Sequence, residues 1–327
     1  MVRTAVIALG GNALTRAGQM GAYDEQLANA SSMARCIGSL LRAGWRVVVV
    51  HGNGPQVGNL AIQGERSADV VPAQPLFSLD AMTQGQLGSM LVLALSEELG
   101  DEVRVVSVVT HVVVRRDDAG FGHPTKPIGP FISAERAEVL AGAGGRTMVE
   151  DAGRGYRQVV ASPQPVSVLE AEAVRGLVDQ GYLVVACGGG GVPVARTLTG
   201  YEGIEAVIDK DYSAQRLATT IGAEALVLVT GIDAVQLDFG KPTQRPAHLL
   251  SLAEAEMHMA DGQFAPGSMG PKIDASLRFL HDGGSVAVIT TPELVLTSLD
   301  AAECDGGGGT RIVRNRSTAR ARMRGGD

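Results

Sequence analysis

Short aliphatic runs that break straight into glycines recur along this chain, and they limit what it can fold into. Val6-Ile7-Ala8-Leu9 runs into Gly10-Gly11-Asn12, and Trp45 to Val50 runs into His51-Gly52-Asn53-Gly54-Pro55-Gln56-Val57-Gly58. Tyr182 to Cys187 runs into Gly188-Gly189-Gly190-Gly191-Val192-Pro193. An apolar run without alternation fits a strand covered on both faces. Between the first two junctions lies a helical pattern, Gln26 to Ala43, with Leu27, Met33, Ile37 and Leu40 on one face and Gly44 closing it. A βαβ rhythm of this kind gathers its loops along the carboxyl edge of a parallel sheet, where ligands bind in open α/β folds. Glycine, lacking a Cβ, lets backbone N–H groups approach an anion closely. Gly10-Gly11 taken alone also reads as a tight turn after a strand. Four consecutive glycines at 188–191 are costly to order, which favours a phosphate or substrate cradle there.

Composition narrows the partners. The 327-residue chain suits one large α/β domain or two lobes. Aromatic residues make up 4%, so the core is aliphatic, and the net charge of −7 argues against nucleic acid or an anionic membrane as main partner. Arg311 to Arg324 is the basic exception, with six arginines, and reads as a solvated tail. Cys36, Cys187 and Cys304 fit neither a zinc spacing nor a disulfide framework, which points to a reducing compartment. No stretch approaches the roughly 18 apolar residues of a membrane span, and Val2 to Leu9 is too short for a signal core. A cytoplasmic protein is expected.

Further along, Thr83-Gln84-Gly85-Gln86-Leu87-Gly88 begins or interrupts a helix running to Leu99, its glycines explained equally by helix packing or a ligand. Val103 to Val114 reads as one long third strand. From Arg115 to Pro165 the periodicities fade, as in an insertion standing off the sheet, a lid or small subdomain. It holds Pro124-Thr125-Lys126-Pro127-Ile128-Gly129-Pro130-Phe131, where three prolines stiffen the backbone around one lysine. That is either a positioned ammonium group or a rigid solvent loop. Ser167-Val168-Leu169-Glu170 reads as a capping box starting a helix that Gly181 ends. In the second half, Asp209-Lys210-Asp211 precedes a helix from Tyr212 to Ile221, and Ala225 to Val229 is a strand ending in Thr230-Gly231-Ile232-Asp233. Ser251-Leu252-Ala253-Glu254 is another capping box, and Ser285 to Thr290 is the last clear strand before the loop Gly306 to Gly309 and Thr310. Gly267-Ser268-Met269-Gly270-Pro271-Lys272 leads into a helix from Ile273 to Leu280. Pro271 suits a first turn, and Lys272 falls where the helix dipole favours anions.

The chemical inventory is glycine loops, three lysines in special settings (Lys126, Lys210, Lys272), and no triad or metal spacing. Phosphoryl transfer needs little beyond positioning and positive charge, which lysines and oriented N–H groups supply. No Walker A loop is present, and no Gly-x-Gly-x-x-Gly follows the first strand.

Together these motifs resemble the carbamate kinases of the amino-acid kinase family. The likeness runs in order through residues 8–14, 51–58, Thr83-Gln84-Gly85-Gln86, 124–131 and 186–193. It continues through Glu205-Ala206-Val207-Ile208-Asp209-Lys210-Asp211, residues 264–272 and Gly309-Thr310, nearly the whole chain. It implies a three-layer α-β-α fold on an open, mostly parallel sheet of about eight strands, with an inserted protruding subdomain. It also implies a homodimer. Residues 1–200 would form a carbamate-binding lobe including the lid at 115–165, residues 201–313 a nucleotide-binding lobe, and residues 314–327 a basic tail. The implied reaction is reversible transfer between ATP and carbamate giving ADP and carbamoyl phosphate, used to make ATP in arginine or other carbamoyl-phosphate catabolism. Mg2+ would be held mainly by the nucleotide phosphates, with no protein-built metal site.

By the same resemblance, Gly10, Gly11 and Asn12, with Gly52, Asn53 and Gly54, line the carbamate and γ-phosphate region, with Gly189 and Gly190 beside them. Lys126, Lys210 and Lys272 carry the charge, Asp211 orients the lysines, and Asn12 is a further catalytic candidate. Thr230, Asp233, Gly267, Ser268, Met269 and Gly270 would hold the nucleotide. The chain departs from the family's Thr-Asp-Val-Asp at Thr230-Gly231-Ile232-Asp233, carries Gln236 where a tyrosine is common, and His123 in place of an asparagine before Pro-Thr-Lys. Gly231 and Gln236 fall where the family holds the nucleoside, and His123 would make the lid pH-sensitive near an ordinary value of about 6.5. Two other functions fit the same residues: a relative phosphorylating another small carboxylate, and a non-catalytic nucleotide sensor.

Overall fold

The structure is a computed structural model that describes residues 3–10, 13–16, 18–144, 146–151, 153–300 and 308–315. Gly11 and Asn12, Gly306, and all but the first two residues of the basic tail lie outside the described residues.

Eight strands form one sheet in the order Leu249–Ser251, Thr310–Val313, Val286–Thr290, Ala225–Val229, Arg3–Leu9, Trp45–His51, Leu183–Val185, Val105–Ser107. Neighbours are parallel except where Thr310–Val313 runs against Val286–Thr290. The unbroken apolar runs follow from helices on both faces, since alternate residues of each strand belong to different cores. Val6, Ala8, Val48, Val50, Leu226 and Leu228 pack with Leu217 and Phe279 on one side. Ala5, Ile7, Leu9, Val47, Val49 and Val227 pack with Ile37, Leu40, Leu91 and Leu95 on the other. The first core is roofed by helices Ala171–Asp179, Lys210–Ile221, Leu252–Ala260 and Met269–His281, the second by Tyr23–Arg42, Leu76–Leu99 and Val295–Asp300. This is the three-layer α/β fold expected. No helix among the described residues is long and apolar enough to cross a membrane.

Two local expectations are corrected. Val103 to Val114 is not one strand: Val105–Ser107 closes the main sheet, whereas His111–Val114 belongs to a separate four-stranded sheet with Pro165–Val168, Val192–Arg196 and Tyr201–Gly203. Between them the buried Thr110 is captured by Gln84, whose Oε1 accepts the Thr110 N–H at 3.0 Å and whose Nε2 donates to the Thr110 carbonyl at 3.1 Å. The Ser167–Glu170 capping box does not form either. Ser167 lies inside a strand, and the helix begins at Ala171 with no side-chain cap. The Glu170 carboxylate instead accepts from the His111 backbone N–H at 2.7 Å and meets the His111 ring at 2.8 Å. The Ser251–Glu254 box does form and starts Leu252–Ala260.

The segment 115–165 has regular structure of its own, a three-stranded antiparallel sheet of Lys126–Ile132, Tyr156–Val160 and Thr147–Glu150 with helix Ala134–Gly144. Its strand Lys126–Ile132 lies on helix Gly54–Arg66 so closely that a Cβ at Gly58 would stand 2.0 Å from the Gly129 nitrogen. Only glycine permits that approach, and it brings Lys126 over the sheet's carboxyl edge.

Candidate active site

The carboxyl ends of Arg3–Leu9, Trp45–His51 and Ala225–Val229 open into a cavity of about 570 Å³. Its charged heart is the start of helix Lys210–Ile221. Asp209 is the N-cap, its Oδ1 accepting the Asp211 N–H at 2.8 Å. Asp211 then spans two lysines, with Lys210 Nζ donating to Oδ1 at 2.5 Å and Lys272 Nζ donating to Oδ2 at 2.7 Å. Lys272 comes from the first turns of Met269–His281, with Pro271 where its missing N–H costs no hydrogen bond. From the lid, Lys126 Nζ donates to Asp209 Oδ2 at 2.8 Å. One N-terminal turn therefore holds three ammonium groups from three parts of the chain.

Burial and charge compete here. Burial by itself raises the Asp211 pKa, but the Lys210 and Lys272 charges and their hydrogen bonds outweigh it and hold the carboxyl well below the usual range. Asp209 is partly buried, and Lys126 and Lys210 bring it below its ordinary value. The two lysines on Asp211 diverge. Burial lowers Lys210 despite Asp211, with Lys272 adding repulsion, whereas for Lys272 the pull of Asp211 exceeds the cost of burial and raises it.

The glycine loops form the opposite wall. Gly10, Gly52, Asn53, Gly54 and Gly189 line the cavity, as do Lys126, Lys210, Asp211 and Lys272. Gly189, at φ +66°, lies so close to Asn53 that a Cβ would stand 2.2 Å from Nδ2. Gly190 does not reach the cavity; its carbonyl accepts from Ser213 Oγ at 2.7 Å, tying the loop to the lysine helix. On the nucleotide side Thr230, Gly231, Gly267, Ser268 and Met269 line the wall. Asp233 and Gly270 do not: Asp233 accepts from Thr291 Oγ1 at 3.4 Å, and Gly270 packs against the Ala265 carbonyl. Gln236 stands in strand Val235–Leu237 and His123 is exposed; neither lines the cavity.

Sequence reasoning missed Arg16, Asp151, Arg154, Arg157 and Asp209, all of which line the cavity. Arg154 and Arg157 flank Phe131, at 4.7 and 5.2 Å from its ring centre. Arg157 Nε donates to the Gly129 carbonyl at 3.0 Å, while Nη2 has no partner among the described residues. For Asp209 a signal existed, since an aspartate directly before a helical run is an N-cap pattern. The lid arginines have no comparable signature.

Among the described residues this arrangement has no activated nucleophile. The buried Cys187 thiol is pushed up to about 12 by burial, and buried His51, lowered to about 4 by burial, donates from Nδ1 to the Gly52 carbonyl at 3.1 Å. No group of three His, Cys, Asp or Glu able to hold a metal occurs among the described residues. What remains is positive charge aimed at one cavity: Arg16, Lys126, Arg154, Arg157, Lys210 and Lys272 against Asp151, Asp209, Asp211 and Glu293. That balance receives an anion and stabilises charge that develops on it.

The profile of the Amino acid kinase family matches residues 3–291. A carbamate kinase of Clostridium perfringens is 43% identical over 316 residues, 94% of this chain and 99% of that protein. The structure of carbamate kinase from Giardia lamblia bound to citric acid superposes with a TM-score of 0.90 at 36% identity, covering 96% of this chain and 99% of that one. The same enzyme bound to AMP-PNP superposes with a TM-score of 0.85, with equal coverage. A cationic cavity at the carboxyl edge of this sheet, overhung by a subdomain that supplies a lysine, accompanies sequence likeness along the whole chain. The chain belongs to the amino acid kinase family, among the carbamate kinases.

Proposed function

We propose that this protein transfers the γ-phosphoryl group reversibly between ATP and carbamate, giving ADP and carbamoyl phosphate. The observation that carries the reading is the Asp211 carboxylate bridging Lys210 and Lys272, with Lys126 held one residue pair away on Asp209. A phosphoryl group in flight spreads negative charge over its equatorial oxygens, and catalysis is then positioning plus charge stabilisation. Lys210 and Lys272 face that charge, and Asp211 fixes both ammonium groups. Gly10, Gly11, Asn12, Gly52, Asn53, Gly54 and Gly189 form the carbamate side, with Gly190 bracing them, and Lys126 closes over the acceptor. Thr230, Gly267, Ser268 and Met269 wall the nucleotide, with Asp233 and Gly270 supporting them from behind. Mg2+ enters as part of the nucleotide substrate, held by its phosphates. The division into lobes at 1–200 and 201–313 with a tail at 314–327, homodimeric assembly, a cytoplasmic setting and a place in arginine or other carbamoyl-phosphate breakdown belong to the same proposal, supported by the family likeness.

The test is ATP formation from carbamoyl phosphate, ADP and Mg2+, beside phosphoryl transfer from ATP to carbamate, acetylglutamate and aspartate. ATP formation and a preference for carbamate are expected. Tight ATP binding without ATP formation from carbamoyl phosphate, or preference for either of the other acceptors, overturns the reading.

A further inference from the structure

Gln56 stands in the stretch His51 to Gly58 yet does not line the cavity. It is the third residue of helix Gly54–Arg66, directly after Gly54 and Pro55, which do line it. Its buried side chain reaches the loop that follows Gly10, with Nε2 donating to Thr15 Oγ1 at 3.0 Å and to Gln26 Oε1 at 3.0 Å. Gln26 Nε2 in turn donates to the Gly21 carbonyl at 2.6 Å. A carbonyl can only accept, so Gln26 must aim its nitrogen at Gly21 and its oxygen at Gln56, and Gln56 must answer with its nitrogen. Both Gln56 amide hydrogens are spent on this link.

A second branch is fixed in the same way. Asn29 Nδ2 donates to the Leu14 carbonyl at 3.2 Å and to Gln19 Oε1 at 2.7 Å, and Gln19 Oε1 also accepts the Arg16 N–H at 2.7 Å. The described residues from Leu14 to Gly21 lie in no strand or helix, so side-chain amides hold the chain there as a backbone ladder does elsewhere. Gln26 and Asn29 are buried in the first turns of helix Tyr23–Arg42, beside the loop; further along, the same helix buries Ala30, Met33, Ala34 and Ile37. The arrangement is costly, since Gln56 Oε1 is left without a partner among the described residues. Packing gives no reason to keep a buried amide at that cost, whereas position does. Ala13 and Arg16 flank the Leu14-Thr15 stretch that the network grips, Gly54 and Pro55 precede Gln56, and all four line the cavity. The Gln56–Thr15 bond therefore ties together the loops that follow strands Arg3–Leu9 and Trp45–His51.

We propose that Gln56, Gln26 and Asn29 are positioning residues that set the spacing between these two loops, and with it the fit of the acceptor but not of the nucleotide. The inference rests on the reading above, in which both loops form the carbamate side. Reacting groups held slightly out of line lose rate steeply, so a slack loop costs turnover as well as binding.

Thr15→Val keeps the side-chain shape and removes the oxygen that Gln56 holds. In ATP synthesis it should lower kcat/KM for carbamoyl phosphate by about tenfold, the worth of one hydrogen bond, and leave the ADP KM within about twofold. Thr15→Ser should restore the wild-type value. Gln56→Leu cuts both bonds and should cost more. Because Thr15 acts through Gln56, adding Thr15→Val to Gln56→Leu should cost less than about twofold further. Circular dichroism at the assay temperature confirms that each variant is folded. A wild-type kcat/KM in Thr15→Val overturns the inference, as does failure of Thr15→Ser to rescue. So does an equal rise in both KM values, the mark of a general loss of structure, or a full additive loss in the double variant. If the wild type phosphorylates acetylglutamate or aspartate and not carbamate, the carbamate reading fails, and the same split between that acceptor and ATP decides this inference. A wild type that uses no acceptor removes both.

Discussion

Replacing Asp211 by asparagine tests the core of the site, because it keeps the side-chain volume and removes the charge that two lysines share. Asp211 is 2% exposed, with Lys210 at 2.5 Å and Lys272 at 2.7 Å. Removing one partner of a buried ion pair leaves uncompensated charge and costs about 3–5 kcal/mol. In a chain of 327 residues about 1 kcal/mol shifts Tm by roughly 1.5 °C, so Asp211→Asn should melt about 4–7 °C lower. The strain is relieved if one ammonium group gives up its proton, and Lys210 yields first. Burial already lowers its pKa, Lys272 repels its charge, and Asp211 is the chief group opposing both. A neutral Lys210 can no longer stabilise the transferring group.

Turnover of Asp211→Asn in the direction of ATP synthesis should therefore fall by about a hundredfold or more at alkaline pH, the scale of losing a preorganised donor. The sign of the pH dependence follows: Lys210 regains its proton as pH falls, so the deficit relative to wild type should shrink towards mildly acid pH. The assay is ATP formation at saturating carbamoyl phosphate and ADP across that range, beside a thermal melt. Turnover within about threefold of wild type at every pH, with an unshifted Tm, would refute the role given to Asp211. A large but pH-independent loss would refute the argument that Lys210 is the group that deprotonates.

Three further outcomes are expected. Lys272→Met should lower kcat by roughly a hundredfold while circular dichroism stays unchanged, since the lysine faces the cavity and a near-normal rate would remove it from the mechanism. His51, lowered from 6.5 to about 4 by burial, stays neutral when folded. The unfolded chain takes up the proton first, so the stability it contributes is present above about pH 6.5 and is lost towards pH 4, on the order of 3 kcal/mol. Urea midpoints against pH should show that acid slope in wild type and a shallower one in His51→Gln; equal slopes would exclude His51 as its source. Gly58→Ala should destabilise by about 1–3 kcal/mol and weaken carbamoyl phosphate binding, because its Cβ meets lid backbone at Gly129; a wild-type Tm and KM would show that the lid contact yields freely.

What was legible in the sequence was whatever the chain states locally. Ala5 to Leu9, Val47 to Val50 and Ala225 to Leu228 are apolar without alternation because helices cover both faces, so their strand character survives in one dimension. The glycine loops were legible because strand, glycine and helix succeed one another within a few residues, and parallel pairing then brings successive loops to one edge. The errors arose where a distant side chain decides local structure. Val103 to Val114 is uniformly β-branched enough to be one strand; it is divided because Gln84, 26 residues away, captures Thr110. Ser167-x-x-Glu170 has the letters of a capping box, but His111, 59 residues away, takes the carboxylate. The same reason hid part of the site. Arg154 and Arg157 reach the cavity with the lid, which Gly58 and Gly129 let rest on the helix below it. Lysines flanked by proline or aspartate carry a local mark, whereas an arginine in a strand acquires its role from what folds against it.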